Sequence, residues 1–245
     1  MADWLIPWRS RGRSGRDTDH FLWNDGRLYL MDNHRLALWC WWQHLDESER
    51  WTYFHIDRHF DAAWQNFNPW PSHTRPEHRS DLAAFRRATV AVDGNSFALY
   101  AWDTITTALW SMEGARLDEV LFATGDQGDA PQGLTAEHID AEDLLGRLAA
   151  LAADDTAPRP PCIIDIDIDY FVWRELDGTV GFRFADSQLA AIGQTLTAGL
   201  TNGRFGLVTI ALSPETTGSW ELAEQTLGVV FQSLATYQDF TDGAP

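Results

Sequence analysis

The sequence predicts an α/β protein, a three-layer αβα arrangement built on a mainly parallel sheet. Five short β-rich runs alternate along the chain with stretches whose apolar residues recur at helical spacing. Clusters of Pro, Gly, Asp and Asn separate the runs. Aspartates and histidines follow directly after several strands, at the end of a parallel sheet where ligands bind. All 245 residues are read as one domain, and 44% apolar content with 13 Trp is ample for a packed core.

Residues 1–19 read as a mobile arm, with four arginines between 9 and 19 (RSRGRSGRDTD). Leu28 to Met31 is the first strand, and Arg35 to His44 a helix, so a strand-to-helix turn falls at Asp32-Asn33-His34. On that helix Trp39, Trp41 and Trp42 cannot all face one core. Trp51 to Ile56 is the second strand, ending at Asp57. Residues 66–80 carry three prolines and two histidines and read as a long ordered loop. Ser96 to Met112 is striped for a helix, Asp118 to Thr124 is the third strand, and Thr135 caps a helix through Ala153. After the linker 154–161, Cys162 to Phe171 is an extended run. A helix follows from Asp186 to Gly203, then the strand Gly206 to Leu212, a turn 213–218, and a helix from about Ser219 to Tyr237.

Composition narrows the function. All 18 basic residues are arginine, against 36 Asp and Glu, for a net charge of −18. The absence of lysine removes a Walker A phosphate loop and a Schiff-base nucleophile. The acidity disfavours nucleic acid and anionic lipid and favours a cationic partner, although charge that merely maintains solubility is equally compatible. Cys40 and Cys162 sit in separate apolar runs and read as buried free thiols of a reducing compartment. Arginine at position 9 interrupts any signal-peptide pattern, and no run approaches the ~18–20 apolar residues of a membrane span. A cytoplasmic protein is the expectation.

Two strings carry the chemistry. In Cys-Ile-Ile-Asp-Ile-Asp-Ile-Asp-Tyr-Phe, alternation puts Asp165, Asp167 and Asp169 on one face of a strand. Three carboxylates at ~7 Å intervals in so apolar a run require a cation opposite, unless that face is simply solvated. His55, Asp57, His59 and Asp61 repeat the alternation after the second strand. Their oxygen and imidazole donors suit a hard or borderline divalent ion rather than a Cys-ligated zinc. A core histidine is the alternative for each imidazole taken alone. His34 is a third contributor, with Asp32 either a ligand or an orienting partner.

His34, then Asp57-Arg58-His59-Phe60-Asp61, then Asp-Ile-Asp-Ile-Asp resembles the signature of the arginase/agmatinase/deacetylase family, the ureohydrolase fold. Together with MDNHRLALW and SPETTG, these residues look most like the peptide arginases, which convert arginine side chains of ribosomally made peptides to ornithine. The resemblance implies an arginase-like domain with two divalent ions, manganese by family habit. His34, Asp57, His59, Asp61, Asp167 and Asp169 are the implied ligands; Asp165 with Asp167 is the alternative register. It also implies hydrolysis of a linear amidine, releasing urea as a post-translational modification, with an arginine-containing peptide as partner. Glu215 falls where arginases place a glutamate for the planar guanidinium, though a helix N-terminal charge would look the same.

The departing amine needs a proton, for which His73, His78 and His55 are the candidate donors. Trp64 and Trp70 border the Pro-rich loop and are candidates for a peptide groove or for stacking on a guanidinium, core packing being the alternative. The competing functions are an agmatinase- or deacetylase-like hydrolase of a small cationic substrate, a glycosyltransferase using Asp-x-Asp, and a non-catalytic, metal-stabilised peptide-binding module. Self-association into a homo-oligomer is left open.

Overall fold

The computed structural model describes residues 2–46, 48–128, 130–153, 159–174, 179–231 and 240–241. The chain begins with β1 (Asp3–Ile6), β2 (Leu22–Asp25), β3 (Leu28–Met31), α1 (Arg35–Trp42) and β4 (Trp51–His59). Three short helices follow, α2 (Trp70–His73), α3 (Pro76–Ser80) and α4 (Leu82–Arg87), then a hairpin of β5 (Thr89–Val92) and β6 (Asn95–Ala98). Next come α5 (Ile105–Glu113), β7 (Leu117–Gln127), β8 (Glu137–His138), α6 (Leu144–Ala152) and β9 (Cys162–Asp167). A small hairpin of β10 (Val172–Arg174) and β11 (Val180–Phe182) leads to α7 (Asp186–Thr201), β12 (Phe205–Ala211), α8 (Pro214–Thr217) and α9 (Trp220–Phe231).

Eight strands form one sheet in the order β1-β2-β3-β12-β9-β4-β7-β8. From β3 to β8 every neighbouring pair is parallel; only the edge formed by β1, β2 and β3 is antiparallel. The central strands are buried on both faces, which explains their continuous apolar character. On one face α6, α7 and α9 contribute to a core that includes Ile164, Ile166, Val208 and Leu196. On the other, α1 and α5 pack around Trp41, Tyr53, Ile163 and Leu207. Helices therefore cover both sides of a mostly parallel sheet. No helix among the described residues is long and apolar enough to cross a membrane.

All five expected strands form, and as β3, β12, β9, β4 and β7 they lie side by side in parallel, with their C-terminal ends at the same edge of the sheet. Several expectations are corrected. Residues 96–112 are not one helix: Ser96 to Ala98 belongs to the β5–β6 hairpin, turned by Asp93 and Gly94 at φ 49° and 79°. Positive φ at both turn residues is the Asp-Gly geometry that closes a two-residue hairpin. The helix expected from Thr135 starts only at Leu144, and 137–138 instead extends the sheet edge. Trp39, Trp41 and Trp42 are all buried, because α1 is covered on every side. Residues 154–158 of the linker and 232–237 of the last helix lie outside the described residues.

The stretch expected as an arm contains β1 and then runs across the end of the sheet. The β3–α1 turn holds it there. Asp32 accepts from the backbone N–H of His20 and Phe21 and from the Ser14 hydroxyl. Asn33 donates to the carbonyls of Gly15 and Thr18. The fully buried Arg35 reaches the carbonyl of Asp17, and Asp19 lies between Arg35 and Arg86. Asp32 is thus explained as an anchor for the chain crossing above it, not as a ligand.

Gly199 of α7 touches the fully buried Phe205 so closely that an added Cβ would lie 2.3 Å from its ring. Overpacking of this kind costs about 1–3 kcal/mol. Gly199→Ala should lower the midpoint of denaturant unfolding accordingly, whereas Gly146→Ala, where a Cβ meets nothing within 4 Å, should not.

Candidate metal centre

The centre grows out of the strand ends. His34 follows β3, Asp57 and His59 end β4, and Asp167 ends β9. Beyond Asp167 the chain does not stay extended: Ile168 to Phe171 forms a 3-10 turn, capped by the Asp167 side chain accepting from the Asp169 N–H. Asp165 and Asp167 share a strand face as alternation requires, but Asp169 reaches the site through this turn. Asp61 comes from the loop after β4, in the left-handed region at φ 48°.

Asp165 is fully buried and behaves unlike the other aspartates. It accepts from His34 Nε2 at 3.0 Å, His55 Nδ1 at 2.8 Å, the Tyr53 hydroxyl at 3.2 Å and the Thr209 hydroxyl at 2.8 Å. Thr209 in turn accepts from Trp41 Nε1. The Asp165 oxygens are thus occupied, and Asp167 and Asp169, not Asp165, bring carboxylate oxygens together with those of Asp57. Burial alone would raise the Asp165 pKa, but His34 and His55 outweigh it and hold the carboxyl below its usual range.

This carboxylate fixes the His34 ring, so that Nδ1 points the other way. It faces Asp57 Oδ2 at 3.3 Å, Asp61 Oδ2 at 3.0 Å and Asp167 Oδ2 at 3.5 Å. His59 Nδ1 faces Asp57 Oδ1 and Asp169 Oδ2, both at 3.3 Å. Asp57 therefore offers one oxygen to each histidine. Asp57, Asp167 and Asp169 also present oxygens within 4.8 Å of one another, as do the donor atoms of Asp57, His59 and Asp61. The pattern reads as two adjoining sites, one of His34, Asp57, Asp61 and Asp167 and one of His59, Asp57, Asp167 and Asp169.

The donor atoms bear this out. His34 Nδ1, Asp57 Oδ2, both Asp61 oxygens and Asp169 Oδ2 are buried without a hydrogen-bond partner. Leaving so many charged acceptors unsatisfied costs several kcal/mol unless cations occupy the space between them. Carboxylate and imidazole donors without thiolate suit hard or borderline divalent ions. These residues fit a two-ion centre.

The remaining expected residues separate clearly. His55 also lies near His34 and Asp57, but both its nitrogens are engaged: Nδ1 with Asp165, Nε2 with the His59 carbonyl. Being fully buried, it supports Asp165 and delivers no proton to a substrate. His73 bonds Ser72 and the Pro69 carbonyl, and His78 bonds Tyr100; neither lines the cavity over the centre. Trp70 is core, donating to the Leu99 carbonyl. Trp64 does stack on a guanidinium, but on the chain's own Arg16, 4.8 Å from its ring.

Above the centre lies a cavity of about 260 Å³. Asp167, His34 and His59 form its floor, and Glu215, Ser213, Thr216, Trp102 and residues 13–16 form its walls. Sequence reasoning missed three of these contributions. Ser213, in the left-handed region at φ 41°, directs its hydroxyl to Asp167 Oδ2 at 2.5 Å. Trp102 meets the His59 ring edge-on at 6.1 Å between centroids. Ser14 donates its backbone N–H to Glu215 Oε1 at 3.1 Å. None of the three carried a local sequence signal: Pro214 biases Ser213 toward extended backbone, not toward the left-handed φ it adopts.

Comparison with protein-family models and with curated protein sequences finds no match to this chain.

Protons stand in where cations are absent. Burial and then the charge of Asp57 push Asp169 up to about 7 and Asp61 up to about 6. Burial opposes a charge on His59, yet Asp57 and Asp169 lift it to about 9. Each of these folded values lies above the unfolded one, so the stabilisation is complete at low pH and is lost as pH rises through the folded value. Metal-free protein should therefore lose stability between about pH 4 and pH 9, and added Mn²⁺ should restore it most at the alkaline end. Thermal unfolding across that range with and without metal checks both trends. Asp165→Ala should weaken metal binding by about 10- to 100-fold in a chelator competition, since the orienting acceptor of His34 Nε2 is lost; unchanged affinity would refute its positioning role.

Proposed function

We propose that this chain is an arginase-like hydrolase with two divalent metal ions, converting arginine side chains of a peptide to ornithine and urea. One observation carries the reading: six donors from three separate chain segments converge with unsatisfied atoms directly beneath a cavity walled by Glu215. The resemblance of those same segments to the peptide arginases supplies the substrate, and manganese is the ion it favours.

Two divalent ions at such a centre supply activated water at neutral pH and a template for the group under attack. The protein's own residues do the rest. His34, Asp57, His59, Asp61, Asp167 and Asp169 hold the ions, while Asp165 and Ser213 keep His34 and Asp167 aimed. Glu215 is half-exposed on the cavity wall, with Oε1 fixed by the Ser14 N–H. Its carboxylate is placed to take the N–H groups of a planar guanidinium by paired, charge-assisted bonds. Trp102 offers an apolar surface beside it for an alkyl stem. Among the described residues the cavity is lined by no imidazole other than His34 and His59, so no histidine outside the metal ligands is assigned as proton donor.

Hydrolysis removes the amidine carbon and two nitrogens, so each converted arginine should lighten a peptide by about 42 Da. Mass spectrometry of an arginine-containing peptide incubated with Mn²⁺-loaded protein should show this loss together with urea. Glu215→Gln should lower kcat/KM by roughly 10- to 100-fold, the cost of one charged receptor. Acetate release from acetyl-lysine, or hydrolysis of agmatine in preference to the peptide, would overturn the peptidyl-arginine assignment.

A further inference from the structure

The crossing segment 11–16 is anchored at almost every residue. Arg11 makes a two-point pair with Glu224 at 2.6 and 3.0 Å. The Gly12 carbonyl accepts from Trp220 Nε1, and a Cβ at Gly12 would fall 2.3 Å from the His20 ring. Ser14 is buried against Asp32 and Glu215, the Gly15 carbonyl accepts from Asn33, and Arg16 is held by Asp103 at 3.0 Å and by Trp64. The Arg13 side chain is the most exposed of these, at 88%, and its contact is a loose ion pair, Nε lying 3.9 Å from Glu215 Oε2. The backbone beneath it is fixed, so its guanidinium stays tethered at the cavity mouth.

Resting on the reading of Glu215 as guanidinium receptor, we infer that Arg13 is a specificity-determining residue that selects target arginines with an acidic neighbour. In the free protein Arg13 is the counter-charge of Glu215. An incoming guanidinium takes over that carboxylate: Oε2 meets Arg13 only across 3.9 Å, and Oε1, although it accepts from the Ser14 N–H, keeps a second lone pair for a paired bond. Arg13 then loses its partner and lies beside a second cation. A carboxylate next to the target arginine restores a pair for Arg13; a lysine there adds a third positive charge. The overall charge of −18 would by itself favour the lysine peptide, so the two effects oppose and can be told apart.

Three peptides that differ only in the residue after a single arginine, Asp, Ala or Lys, provide the test, with blocked termini and Mn²⁺-loaded protein. Both kcat/KM by mass spectrometry and Kd by calorimetry are read. An exposed pair of this kind changes binding by about two- to five-fold. The wild type should favour Asp over Lys by at least that factor in Kd and kcat/KM, with kcat little changed. Arg13→Ala should abolish or invert the preference, and Arg13→Glu should invert it outright. As Arg13 is exposed, neither variant endangers folding. An Asp-to-Lys ratio that is the same in wild type and both variants, or a wild type that favours Lys, would overturn the inference. Conversion without charge preference defeats the role of Arg13 alone. Charge-dependent binding without any loss of mass defeats the peptidyl-arginine reaction and leaves the role of Arg13 standing.

Discussion

A carboxylate with no exposed surface, between two histidines and two hydroxyls, is the interaction on which the rest of the centre depends. Asp165 is placed by sheet register, opposite His55 on β4 and Thr209 on β12. Parallel neighbours in register put their side chains on the same face, so three adjacent strands deliver one network. Removing the charge of any one member leaves the others buried and uncompensated, which is the costly case for ionic groups in a core. What the network secures is the orientation of His34, whose other nitrogen faces three carboxylates. The order is therefore from the core outward: Trp41 supports Thr209, Thr209 and Tyr53 support Asp165, Asp165 sets His34, and His34 aims at the space between the aspartates.

The same turn that carries His34 also ties down the chain above it. Asp32, Asn33 and Arg35 are spent on residues 14–21, so four consecutive side chains divide between the floor of the cavity and its wall. Glu215 is held from the far side of that wall by Ser14. Floor, receptor and wall are coupled through short hydrogen bonds, and the geometry at the mouth is set by the fold rather than by a separate loop. Such coupling suits the proposed alignment of a flat cation over fixed donors, because misplacement by an ångström forfeits most of the advantage of orientation.

Much of this was legible in the sequence, and the reasons are particular. The strand Leu28 to Met31, the run Trp51 to Ile56 and the string Cys162 to Asp167 all pair two signals, β-rich apolar residues and polar residues at the strand end. The ligand strings stood out because carboxylates at alternate positions in an apolar strand demand a cation. What misled was competition between signals of similar strength. Ser96 to Met112 has helical apolar spacing, yet Asp93-Gly94 allows a tight hairpin that claims its first residues. The arginines at 9–16 suggest a solvated leader when counted, but the partners of Arg11, Arg13 and Arg16, namely Glu224, Glu215 and Asp103, lie up to 213 residues away and leave no local trace. Asp165 could not be told from Asp167 by pattern, since both share one face; only the burial of His55 and Thr209 beside it separates support from ligand.

If two divalent ions occupy the centre, Asp57 would offer one oxygen toward each and Asp165 would stay outside the coordination. Anomalous diffraction from a crystal of the Mn²⁺-loaded protein addresses it directly. The account predicts two peaks roughly 3.5–4 Å apart, one beside His34 Nδ1 and one beside His59 Nδ1, with an Asp57 oxygen on each. A single peak, or an ion coordinated by Asp165 or His55, would contradict it.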